Sequence, residues 1–175
     1  MKKTLSGFFI IAALLFAIFT GAQVQAAGSS ISVSGDSVIH SSALNRPEMR
    51  VITIIFTADD TDGTIPSLTL NGSTTGIKHG SLGGWFAYNI VIDGNHAGTE
   101  PTENSEIYIY QSGFDLLGAQ GVDQVDNTAE RQVYFSDGTS KVKQPIYDTL
   151  TVTITQQAVA TNSATGTVYL ILVAE

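Results

Sequence analysis

Cysteine is absent from all 175 residues. That excludes disulfides, thiolate metal centres and thiol catalysis, and it rules out lipid attachment at a cysteine behind an export signal. Bases are scarce too, with 8 Lys and Arg against 16 Asp and Glu, and the three histidines, His40, His79 and His96, leave the last third of the chain without one. No long amphipathic helical period runs through the chain, and there is a single Trp and only four Pro.

The one long apolar run lies at the start. Met1-Lys2-Lys3 is followed by Phe8 to Phe19, FFIIAALLFAIF, and then by the small residues of Val24-Gln25-Ala26. This is the pattern of a secretory signal cleaved after Ala26. Twelve apolar residues rise about 18 Å as a helix, short of the roughly 20 residues that span a bilayer. The expectation is a signal peptide at 1–26, no stable membrane span after its removal, and a single domain at 27–175 exported to a periplasm or beyond the cell. Without Lys2 and Lys3 the product keeps six bases against 16 acids, a net charge near −10. Such a field repels nucleic acid and anionic lipid. Stability must then come from packing, bound ions or assembly.

What fills the remainder is short β-branched and aromatic runs punctuated by Gly, Asn, Asp and Pro. Strands are expected at Ile31 to Ile39, Met49 to Thr57, Ser67 to Leu70, Trp85 to Asp93, Glu106 to Gln111, Gln132 to Phe135, Thr149 to Thr155 and Thr165 to Val173. About eight strands in this length predict an all-β fold, an antiparallel two-sheet sandwich of jelly-roll-like or Ig-like type. In Leu150-Thr151-Val152-Thr153-Ile154-Thr155 the alternation turns Leu150, Val152 and Ile154 to the core. By contrast Val51 to Phe56 and Val168 to Val173 are apolar on both faces. That pattern fits central strands or strands covered by a partner, and a second face left uncovered within the monomer is an interface. The polar stretch 94–104 reads as an exposed loop, and so does the connection after Asp115-Leu116-Leu117-Gly118, with a leucine returning to the core and Gly118 easing the turn.

Candidate chemistry is sparse. Gly35-Asp36-Ser37-Val38 is similar to the nucleophile block of a serine esterase family, but no histidine follows late in the chain to serve as base, so a solvent-facing turn is the expected reading. Ser140-Lys141-Val142-Lys143 matches the Ser-x-x-Lys of penicillin-recognising enzymes without their Lys-Thr-Gly. Asp115, Asp123, Asp126 and Glu130 supply acids of the kind glycosidases pair, at no fixed separation. Asp59, Asp60 and Asp62 before Gly63 offer either a Ca²⁺ site or an Asp-Gly turn whose carboxylates cap amides. No other cofactor is expected. Trp85, Phe86 and Tyr88, with Tyr108 and Tyr110, place aromatics on two neighbouring strand candidates, where they either stack on sugar rings or pair across a sheet. Asn71-Gly72-Ser73 reads as a turn rather than a glycan acceptor.

Gly84-Trp85, the run Pro101 to Ile109, Asp115-Leu116-Leu117-Gly118, Asp126-Asn127-Thr128, Leu150 to Ile154 and Ala164 to Val168 together resemble small β-sandwich proteins encoded among bacteriophage and prophage structural genes, over residues 65–173. The resemblance implies an assembly or surface role without catalysis and assigns no active-site residue. The signal peptide departs from it, since virion subunits assemble in the cytoplasm. The expected function is therefore non-enzymatic: structural, assembly or surface interaction, through self-association or contact with another envelope or surface protein. A secreted carbohydrate-binding module is the alternative.

Overall fold

A computed structural model describes residues 28–40, 48–94, 105–125, 129–137, 139–155 and 163–175. The expected signal peptide and nearly all of the 94–104 loop lie outside these residues. Among the described residues ten strands form: β1 (Ser30–Ile39), β2 (Met49–Thr57), β3 (Leu68–Leu70), β4 (Phe86–Asp93), β5 (Glu106–Gln111), β6 (Phe114–Asp115), β7 (Arg131–Tyr134), β8 (Gln144–Pro145), β9 (Leu150–Thr155) and β10 (Thr165–Val173). The eight expected strands are all present, within one or two residues of their expected ends. The two additions, β6 and β8, have two residues each, too short for any period to register.

All pairings are antiparallel. The larger sheet runs β1-β2-β10-β4-β7, with β8 also on β4, and the smaller runs β3-β9-β5-β6. The fold is all-β, with the two sheets arranged as a sandwich. Alternation decides what lies between them. Ile52, Ile54 and Phe56 of β2 and Val168, Leu170 and Leu172 of β10 meet Ile107 and Ile109 of β5 and Leu150, Val152 and Ile154 of β9 in one buried cluster. Each such side chain stabilises the fold by about 1.5–3 kcal/mol through burial. The inward set on β9 is the one its Leu-Thr-Val-Thr-Ile pattern predicts.

Central placement explains the two doubly apolar strands. β2 and β10 are neighbours in the middle of the larger sheet, joined over their full nine residues. They need apolar residues inward for the core, but a covered second face is not supplied by any named strand.

The stretch after β6 is less of a surface loop than expected. Leu116 and Leu117 are both buried, and Gly118 takes a positive φ of 58°. The chain then runs back beside β5: the Ile107 amide donates to the Gly121 carbonyl, and Ser105 bridges to Val125, which is fully buried. The apolar anchors Leu117 and Val125 hold this segment against the sandwich.

Candidate functional site

Two irregularities in strand pairing shape the surface. In β1 the register shifts between Val33 and Gly35, leaving Ser34 as an extra residue. A bulge reverses which side the following residues face. Ile31 and Val33 point inward before it, and Asp36, not Ser37, points inward after it.

That reversal overturns the expectation of a solvent-facing turn at Gly35-Asp36-Ser37. The segment is strand, and Asp36 is buried beside Arg50 with both side chains fully excluded from solvent. The Arg50 Nε and Nη2 donate to the two Asp36 oxygens at 2.9 Å each. Nη1 and Nη2 also donate to the Ser81 and Gly80 carbonyls at 3.0 and 3.2 Å. The Lys78 and His79 amides donate to Asp36 Oδ2 at 2.7 and 3.0 Å. Burial alone would push the Asp36 carboxyl up. The Arg50 hydrogen bonds, the His79 and Lys78 amides and the Arg50 charge outweigh it and hold the group at about 2. The pair clamps the 78–81 loop onto the end of the core. Ser37, the next residue, is exposed on the opposite side of the strand.

Trp85 belongs to the same clamp. Its ring lies under the Arg50 guanidinium, 5.8 Å from centroid to Cζ, and packs against the core. The other expected aromatics sit elsewhere. Tyr88 stands on the outer face of the larger sheet, edge-on to Tyr134 at 5.8 Å. Tyr108 and Tyr110 stand on the outer face of the smaller sheet with rings 5.7 Å apart and 16° from parallel. The Tyr108 hydroxyl donates to Glu106 Oε2 at 2.8 Å, which raises its pKa to about 12. The structure does not bring the four rings together into one platform.

Asp59, Asp60 and Asp62 form a tight turn. Asp59 Oδ1 accepts the Thr61 and Asp62 amides, and Asp62 Oδ1 accepts the Thr64 amide, which lowers the Asp62 carboxyl. Asp60 accepts the Thr61 hydroxyl. Among the described residues no group of three or more His, Asp or Glu is arranged to hold a metal ion. Asn71 likewise makes a turn, its Oδ1 accepting the Ser73 amide at 2.8 Å. Asp115, one of the four loop acids, accepts the Leu117 and Ala119 amides, and Asp126 lies outside the described residues.

The candidate site is the outer face of the larger sheet. Reading register across it, Ser37, Val51, Ile171, Asn89 and Tyr134 make one row, and Ile39, Met49, Val173 and Phe86 another. Ile55 and Ile39 are 45% and 55% exposed, and Met49 is also open to solvent. Among the described outward positions of the five strands, Asp93 carries the sole charge. Near the centre sits Asn89, 1% exposed, with neither side-chain atom hydrogen-bonded. The doubly apolar runs signalled part of this face. Phe86 was among the aromatics read as candidates for an exposed face, whereas Tyr134 and Asn89 were not legible, since a bulge at Tyr88 sets which way Asn89 and its partner point.

No protein-family model matches the chain, and no curated protein and no solved structure is significantly similar to it.

Proposed function

We propose that the protein is exported and non-enzymatic, and that its role is structural: it assembles with further copies of itself through the outer face of the larger sheet. The carrying observation is that among the described outward strand positions of this face only Asp93 is charged, while Ile39, Met49, Val51, Ile55 and Ile171 form an apolar patch among serines and threonines, with the Lys141 ammonium over the Tyr134 ring at its edge, on a chain whose processed form bears about ten net negative charges. Like-charged copies repel everywhere except where charge is missing. The forty residues of the five strands, at about 4.8 Å between strands and about 3.4 Å per residue, give a face of roughly 650 Å², so two copies would bury about 1,300 Å², enough for a specific interface. Face-to-face stacking of two sheets is a common packing mode. An assembly role is also what the resemblance to phage structural sandwiches implies. The non-enzymatic part of the reading is supported by the commitment of Asp36, Asp59 and Asp115 to backbone amides and ion pairing.

The test is light scattering on the protein purified after export, over a wide concentration range, beside Ile55→Asp and Val51→Lys. A stable multimer that both substitutions reduce to folded monomer is the expected result. A wild-type monomer at every concentration overturns the proposal. An N-terminus found still at Met1 by mass spectrometry would instead put residues 8–19 forward as the cover for this face.

A further inference from the structure

Phe114 and Tyr147 are the most exposed large hydrophobic side chains of the described chain, at 77% and 75%. Far apart in sequence, they line the same open cavity of about 490 Å³. Neither ring contributes to the core, so folding does not account for either.

Their backbones, however, are fixed. Phe114 follows the two-residue turn Ser112-Gly113, with φ of 50° and 85°, between β5 and β6. Positive φ at both central positions marks the tight hairpin turn that fits strand twist. Tyr147 lies on the segment after β8. Buried Gln111, which pairs with Phe114 across that hairpin, holds this segment: its Nε2 donates to the Pro145 carbonyl at 3.2 Å, and its Oε1 accepts the Tyr147 and Asp148 amides at 3.1 and 3.4 Å. Ser112 Oγ adds a hydrogen bond to Asp148 Oδ2 at 3.0 Å. One buried amide side chain therefore locks both aromatic mounts to each other. Rings carried on fixed backbone leave only their own side-chain rotamers to be ordered by a ligand.

The lining indicates the chemistry. The same cavity is lined by Gln144, whose Nε2 donates to the Ser136 carbonyl, and by Asp137, whose Oδ1 accepts the Thr139 and Ser140 amides. Those amides lower the Asp137 carboxyl, which keeps it an anionic acceptor at neutral pH. Asp115 also lines the space, so an anionic ligand is repelled. Aromatic faces suit the polarised C–H face of a sugar ring, and oxygen acceptors suit its hydroxyls.

We propose that this cleft binds a neutral glycan, with Phe114 and Tyr147 stacking on sugar rings and Gln144 and Asp137 accepting hydroxyl hydrogen bonds. The site shares no residue with the outer face of the larger sheet and stands or falls without it. None of Trp85, Tyr88, Tyr108 and Tyr110 lines it.

The experiment is calorimetric titration of the protein purified after export with hexasaccharides of β-1,4-glucose, α-1,4-glucose, β-1,4-xylose and β-1,4-N-acetylglucosamine, and with hexagalacturonate as the anionic control. At least one neutral hexasaccharide is expected to bind. Phe114→Ala and Tyr147→Ala should each weaken it about tenfold, while Tyr147→Phe retains it. Unchanged urea midpoints would show that these surface variants remain folded. The proposal is overturned if no neutral hexasaccharide binds, if the double alanine variant binds as wild type does, or if only hexagalacturonate binds. It also fails if the two alanine variants abolish self-association without any sugar being bound, which would make the cleft a contact between copies.

Discussion

Replacing Arg50 with Met would leave the Asp36 carboxylate buried, with the Lys78 and His79 amides in place and its guanidinium partner gone. Four Arg50 hydrogen bonds disappear, to Asp36 twice and to the Gly80 and Ser81 carbonyls. Breaking a buried pair from one side costs about 3–5 kcal/mol, a large share of the 5–15 kcal/mol that holds a domain together. With a urea slope of about 2 kcal/mol per molar, the midpoint should fall by about 2 M. Trp85, the sole tryptophan and part of the clamp, supplies the fluorescence signal. The carboxyl gives an independent check. Its folded pKa of about 2 lies below the ordinary 3.8. The associated stability is fully present above the unfolded pKa and is lost as pH falls through the folded value. It amounts to about 2 kcal/mol. The stability gap between wild type and Asp36→Asn should therefore shrink by about that much between pH 5 and pH 2. An Arg50→Met cost below about 1 kcal/mol, or a gap that stays constant with pH, would refute the assignment of the pair as the clamp of the 78–81 loop. The double replacement Asp36→Leu with Arg50→Met should recover much of the loss, since an apolar pair has no charge to strand.

Asn89→Val should raise stability by about 1–2 kcal/mol in the same urea assay, because it removes a buried amide with no hydrogen-bond partner. A loss instead would show that the amide is used. Gly121→Ala should cost at least about 2 kcal/mol, since a Cβ there would overlap the Ile107 carbonyl oxygen; an unchanged midpoint would mean that the 118–125 segment is not held against β5. Calcium should leave the melting temperature unchanged, because Asp59 and Asp62 already accept backbone amides in their turn. A calcium-dependent rise that Asp62→Asn abolishes would restore the cluster as an ion site.

The sequence by itself determined the strands and the fold class. Alternating Leu-Thr-Val-Thr-Ile can bury one face only as a strand, and doubly apolar Val51 to Phe56 and Val168 to Val173 fit the centre of a sheet or a face that a partner covers. It could not determine where parity changes. One extra residue at Ser34 turns Asp36 into the core, and another at Tyr88 sets Asn89 on the outer face. Such bulges depend on what the neighbouring strands need, and no local pattern announces them. Arg50 looked like any charge on a strand until the fold placed Asp36 opposite its fork. Phe114 and Tyr147 became neighbours through Gln111, one buried side chain reaching between segments that the sequence keeps far apart. Local pattern fixes which residues a strand hides, while tertiary pairing alone decides which exposed side chains end up facing one another.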